Sequence, residues 1–140
     1  MKNKKKTKGF TLVEVVLAIA IVGIALLGLA QLFTYSVLIN SRSERMTNAT
    51  FLAQQRIEFL RNVSTTELST ITSPTDEILD LNSDGIMDYR RVTQVQPTGY
   101  SWHVRILVFS AEQIGVPIAS LIDDPLKYRV RADISTIVSW

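Results

Sequence analysis

The chain has 140 residues, enough for one small domain plus a further segment. With no Cys and His103 as the single His, it excludes a disulfide framework, a thiolate nucleophile and a multi-His zinc site. Its net charge of +2 contains the five lysines Lys2, Lys4, Lys5, Lys6 and Lys8; without them the remainder is −3, so the basic character belongs to the leader and is weak evidence for nucleic-acid binding.

From Val15 to Ala30 every position is apolar or Gly. Between Phe10 and Ile39 the polar side chains are Thr11, Glu14, Gln31, Thr34, Tyr35 and Ser36. Thirty helical residues span about 45 Å, more than the roughly 30 Å hydrocarbon core of a bilayer, so a membrane helix is expected. The lysine flank should stay cytoplasmic and the rest of the chain lie on the far side. A signal peptide removed in full would need a small-residue cleavage box after the run; Ala18 and Ala20 fall inside it instead. Glu14 sits at the mouth of the run. An ionisable group there is costly and reads as functional; the alternative is a glutamate reaching for the headgroups.

The stretch Lys8-Gly9-Phe10-Thr11-Leu12-Val13-Glu14-Val15, ahead of its apolar run, resembles the type IV prepilin signature, without gaps and in the right place. The resemblance implies that a prepilin peptidase cuts between Gly9 and Phe10 and methylates the new amine of Phe10. It implies that the arm serves first as an anchor and then as the core of a helical filament, with Glu14 paired to the Phe10 ammonium of a neighbouring subunit. The implied partners are the prepilin peptidase, other minor pilins, a major pilin and an inner-membrane assembly platform, with no small-molecule substrate. The implied location is the inner membrane, single-pass, with the C-terminal domain periplasmic, and later a pilus or pseudopilus. Many pilins carry a proline some twenty residues past the cut. This chain has Gln31 in that region and no Pro before Pro74, which suggests a straighter arm.

No Gly or Pro occurs between Gly28 and Pro74. Met46, Ala49, Ala53, Ile57 and Leu60 recur at helical spacing, and Arg42, Glu44, Arg45, Gln54, Gln55, Glu58 and Arg61 mostly take the other face. One helix is predicted from about Phe10 to Asn62. A coiled coil is the alternative for 43–61, but the stripe is short for it. The Ser/Thr-rich segment Asn62–Ser73 breaks the pattern. Leu26-Leu27-Gly28-Leu29-Ala30-Gln31-Leu32 and the Ala53-Gln54-Gln55-Arg56-Ile57-Glu58 core resemble minor pilins of the PilV kind, and also the I-type minor pseudopilins of type II secretion.

Three stretches of the remainder alternate at period two. Tyr89–Val95 places Tyr89, Arg91, Thr93 and Val95 on one face. Tyr100–Phe109 aligns Tyr100, Trp102, Val104, Ile106 and Val108. Tyr128–Trp140 aligns Tyr128, Val130, Ala132, Ile134, Thr136, Val138 and Trp140. Pro97-Thr98-Gly99 is a turn signal that joins the first two as a hairpin. The predicted fold class is α+β: an antiparallel sheet with one apolar face laid on the helix stripe, the same shape the pilin resemblance implies. Ala111–Lys127 reads as a surface excursion with a short strand at Val116–Leu121. The expected segments are a leader at 1–9, an apolar arm at 10–39, an amphipathic continuation at 40–62 and a head at 63–140.

Asp80-Leu81-Asn82-Ser83-Asp84-Gly85-Ile86-Met87-Asp88 has the front of a calcium loop: oxygen ligands from Asp80, Asn82 and Asp84, Gly85 for the turn, the Ile86 carbonyl, then Asp88. The twelfth position is Arg91 rather than a bidentate acid, so Asp76, Glu77 or a backbone oxygen would have to complete the shell. The same residues also favour a metal-free turn. Asp123-Asp124, followed by Pro125, reads as a solvated turn, and His103 as a surface histidine on a strand. Arg90-Arg91 and Arg129/Arg131 offer a basic strip on the sheet, with pairing to the many Asp residues favoured over nucleic acid. No phosphate loop or His/carboxylate cluster is present, so an enzyme is not expected. The leading expectation is a minor type IV pilin that primes or caps pilus assembly. A minor pseudopilin of type II secretion is the alternative, and a membrane-anchored cation- or ligand-binding module is a second.

Overall fold

The computed structural model describes residues 9–139 except residue 72; the lysine leader 1–8 and Trp140 lie outside the described residues. Helix α1 runs Leu12–Arg61, close to the expected span. The chain divides into two compact units, Met1–Ser41 and Arg42–Trp140. In the first, every described residue is exposed, and the apolar run is long and apolar enough to cross a membrane. A Cβ added at Gly23 or Gly28 would meet nothing within 4 Å in this chain.

The second unit is a four-stranded antiparallel sheet packed on the end of α1. The strands are β1 (Thr75–Leu79), β2 (Tyr89–Thr98), β3 (Ser101–Ser110) and β4 (Ala132–Ser139), in the order β1-β2-β3-β4. Short helices α2 (Thr65–Thr70) and α3 (Ile118–Asp123) and a 3-10 turn at Ala111–Gln113 fill the connections. This is the α+β arrangement expected. Ala49, Leu52, Ala53, Ile57 and Leu60 of α1 form one core with Tyr89, Val95, Val104, Ile106, Val108, Ala132 and Val138. Leu52 takes the place expected for Met46, which is exposed.

Several expectations need correction. Tyr100 lies in the tip of the β2–β3 hairpin and is fully exposed, rather than on the core face. Thr98 pairs with Ser101, so the turn is Gly99-Tyr100, and Gly99 adopts φ 62°, a left-handed conformation that glycine enters freely. Pro97 sits inside β2 beside Trp102. Hydrogen-bonded pairs alternate along an antiparallel ladder, so its missing N–H faces away from β3, and β1 pairs no further along β2 than Thr93.

The last strand begins at Ala132, not Tyr128. Arg129 has φ 54°, which interrupts the period-two alternation. Tyr128 and Val130 are thereby carried to a second core on the opposite sheet face, with Val92, Leu107, Phe109 and Leu121. Both faces of the sheet are therefore covered in part, not one. Val116–Leu121 is not a strand: Ile118–Asp123 forms α3, whose buried Leu121 belongs to that second core.

Two elements went unforeseen. α2 is started by a full capping box: Ser64 Oγ accepts the Glu67 N–H, and a Glu67 carboxylate oxygen accepts the Ser64 N–H. β1, of sequence Thr-Asp-Glu-Ile-Leu, is poor in strand formers. It is held by charge pairs to β2 that also fix its register.

Candidate functional site: the head of the apolar helix

Thr11 caps α1. Its hydroxyl oxygen accepts the Glu14 N–H at 3.3 Å, and its carbonyl accepts the N–H groups of Glu14 and Val15 at 3.1 and 3.2 Å. Thr11 to Glu14 thus forms the forward half of a T-x-x-E cap. The cap orients the first turn and places the Glu14 carboxylate near the positive end of the helix dipole. Glu14 and Phe10 are both exposed. No described residue of this chain pairs with the Glu14 carboxylate, so its side chain is available to a group from outside the chain. Gly9 precedes the helix in open, non-helical chain, where a Cβ would meet nothing within 4 Å. Gly9 and Phe10, which flank the bond expected to be cut, are both exposed.

The second candidate region is the loop joining β1 to β2. Asp80 accepts the N–H groups of Ser83 and Gly85 at 2.7 and 2.8 Å, one on each carboxylate oxygen. Asn82 Oδ1 accepts the Asp84 N–H, Asp84 Oδ1 accepts the Ile86 N–H, and Asn82 Nδ2 donates to Asp84 Oδ2 at 2.9 Å. Asp88 Oδ2 accepts the Leu81 N–H. Ser83 (φ 59°) and Gly85 (φ 86°) turn the chain through left-handed conformations. The loop is closed by its own carboxylates. Among the described residues, no three His, Cys, Asp or Glu side chains are grouped as ligands for an ion. Neither Asp76 nor Glu77 is drawn to it, because both are taken by arginines of β2.

Those arginines carry a feature that composition does not reveal. Arg90 is buried, forks onto both oxygens of Asp76 at 2.9 Å, and donates from Nη1 to the carbonyls of Gln113, Ile114 and Val116. It ties β1 and the excursion after β3 to the centre of the sheet. Arg91 pairs with Glu77 at 2.8 Å and donates to the Leu52 carbonyl of α1. Arg56 of α1 reaches the same Glu77 and lies over the Phe59 ring. Arg90-Arg91 is thus an internal clamp and not a basic surface strip. The signal was the charge complement of Asp76-Glu77 against Arg90-Arg91, legible only once β1 is known to exist.

The remaining candidates are placed simply. Asp123 ends α3, and Asp124 Oδ1 accepts the Lys127 N–H in an exposed turn. His103 is half-buried on β3, opposite Gln96 and Ile137. Beside it, Arg105 forks onto Asp133 at 2.7 and 3.0 Å. That hydrogen bond, helped by the carboxylate charge and opposed by burial, raises the guanidinium pKa above its ordinary value. Arg105 therefore stays charged at any pH the protein meets.

Compared with known proteins, the chain is matched over residues 4–30 by the model of the prokaryotic N-terminal methylation motif. No curated protein and no solved structure matches it. The matched span covers Gly9, Phe10, the Thr11 cap and Glu14 and ends within the apolar half of α1. The motif indicates a structural subunit and implies processing by a prepilin peptidase. It supports a type IV prepilin-like protein whose apolar N-terminal helix fits a membrane anchor.

Proposed function

We propose that this chain is a minor type IV pilin, a subunit that primes or caps pilus assembly once its leader has been removed. The observation that carries the reading is the methylation motif at the head of an exposed apolar helix. In this account the peptidase cuts between Gly9 and Phe10, and the Phe10 amine is methylated. The mature protein then holds the membrane through residues 10–39, with the head on the periplasmic side. In the filament, Glu14 neutralises the Phe10 ammonium of an adjacent subunit. A carboxylate in a bundle of apolar helices needs a cationic partner, and Glu14 is exposed and paired with no described residue. The partners are the peptidase, the other minor pilins, the major pilin and the inner-membrane platform.

The alternative is a minor pseudopilin of type II secretion, because both kinds share the motif and the architecture. Deleting the gene separates them. A pilin reading expects loss of surface filaments with secretion intact. A pseudopilin reading expects secreted enzymes to accumulate in the periplasm while filaments persist.

A second proposal concerns calcium at Asp80, Asn82, Asp84, the Ile86 carbonyl and Asp88. What supports it is the ligand spacing, together with a loop already turned inward by Asp80 through the Gly85 amide. Occupancy would require the carboxylates to exchange some of their amide contacts for the ion. Calcium at ten times its Kd stabilises the folded state by about 1.4 kcal/mol. Thermal melting of the detergent-solubilised protein should therefore rise with calcium and fall back with a chelator. No shift at millimolar calcium overturns the proposal.

A further inference from the structure

The two edges of the sheet are finished differently. β1 is five residues long, follows Pro74 and carries Asp76 and Glu77. Short length, charge and proline are the devices that keep an edge strand from pairing with another chain. β4 lacks them. Its eight residues, Ala132–Ser139, include no Lys, Arg, Pro or Gly, and four of them are Ile, Val or Thr, which favour strands. Its register on β3 runs unbroken from Ala132 to Ser139, without a bulge. Its one charge, Asp133, is held by the fork of Arg105 from β3.

In an antiparallel ladder alternate residues turn their N–H and C=O groups to the outer side. Among the described residues, β4 pairs with β3 alone, and no backbone bond from a turn or loop reaches it. The outer row is therefore open along the whole strand, and what matches donors and acceptors at that repeat is another extended backbone. The side chains beside the row say what that backbone carries. On the helix side the first core ends at Ile134, which is half-buried. On the opposite face Ile137 is 66% exposed and belongs to neither core. A strand laid along β4 covers both isoleucines with its alternate residues. The nearby cations are already matched: Arg61, 3.5 Å from the Thr136 hydroxyl, pairs with Glu58, and Arg105 with Asp133. A charged segment gains nothing at this edge.

We propose that β4 receives an uncharged, extended segment of another chain as a fifth strand, with Ile134 and Ile137 packed against its alternate apolar or β-branched residues. Backbone bonds supply the affinity and the two isoleucines the preference. The inference concerns the head alone and stands apart from the fate of the leader. The probe is a fluorescein-labelled Thr-Val-Thr-Ile-Thr-Val-Thr peptide, with a control that carries prolines at alternate positions and cannot complete a ladder. Anisotropy with the detergent-solubilised full-length protein reads binding, and backbone amide exchange with the peptide in excess locates it. The result expected is saturable binding, with exchange slowed at alternate amides of 133–139 and no binding of the control. The double variant Ser135→Lys, Ile137→Lys changes two exposed side chains; it should melt like the parent and bind about tenfold more weakly or worse. No saturation at millimolar peptide, or equal affinity for the lysine variant, overturns the proposal. So does a dimer of the parent that the lysine variant makes monomeric, because the edge then belongs to a second copy.

Discussion

Replacing Arg90 with alanine is expected to destabilise the head by about 3–5 kcal/mol, the cost of removing one partner from a buried ion pair. The substitution strips Asp76 of its forked partner and leaves the carbonyls of Gln113, Ile114 and Val116 without their shared donor. Asp76 belongs to β1, a short edge strand, and the three carbonyls to the strandless connection after β3, whose other hold on the sheet is the second core. At about 4–8 °C per kcal/mol for a domain of this size, the melting temperature should fall by more than about 10 °C. Arg90→Lys should recover only part of the loss, because a single ammonium cannot fork onto Asp76 and still reach the carbonyls. Chemical or thermal melting of the purified variants checks this. A change within about 0.5 kcal/mol, as for a surface substitution, would show that the clamp is dispensable.

The second large effect is on assembly. Glu14→Ala is expected to leave cleavage and methylation intact and to remove the protein from filament fractions. The variant retains the helix start, since Thr11 caps the backbone N–H of residue 14 and not its side chain. It also loses a favourable dipole contact, worth only about 0.3–1 kcal/mol. What it removes on the proposed account is the counter-charge of a neighbour's Phe10 ammonium in an apolar bundle, about 3–5 kcal/mol per contact. At 1.4 kcal/mol per tenfold, incorporation should weaken by more than about a hundredfold. Immunoblotting of sheared filaments against membranes reads the outcome. Normal incorporation of the variant would mean that Glu14 only reaches the headgroups.

The long helix was plain in the sequence because nothing between Leu12 and Arg61 opposes it beyond two glycines in an apolar run. The β2–β3 hairpin was plain from alternation and a glycine turn. What escaped was set by contacts distant in sequence. β1 has the composition of a loop and becomes a strand through Arg90 and Arg91. The second core was signalled by the unbroken Ile106-Leu107-Val108-Phe109 run, the mark of a strand buried on both faces. Period-two alternation alone picks out one face and misses it. The continuation of that alternation from Tyr128 into β4 failed at Arg129, whose left-handed backbone no pattern announces. At the candidate site, Gly9, Phe10 and Glu14 were readable from the motif. The cap by Thr11 was also latent in T-x-x-E, and the same spacing at Ser64 to Glu67 starts α2.

The central claim is that the leader is cut at Gly9 and that Phe10 becomes a methylated N-terminus. Intact mass spectrometry of the protein extracted from the membranes of its own cells tests it most directly. The account predicts a species beginning at Phe10 and heavier than that sequence by one methyl group. An intact chain that retains its lysine leader would contradict it.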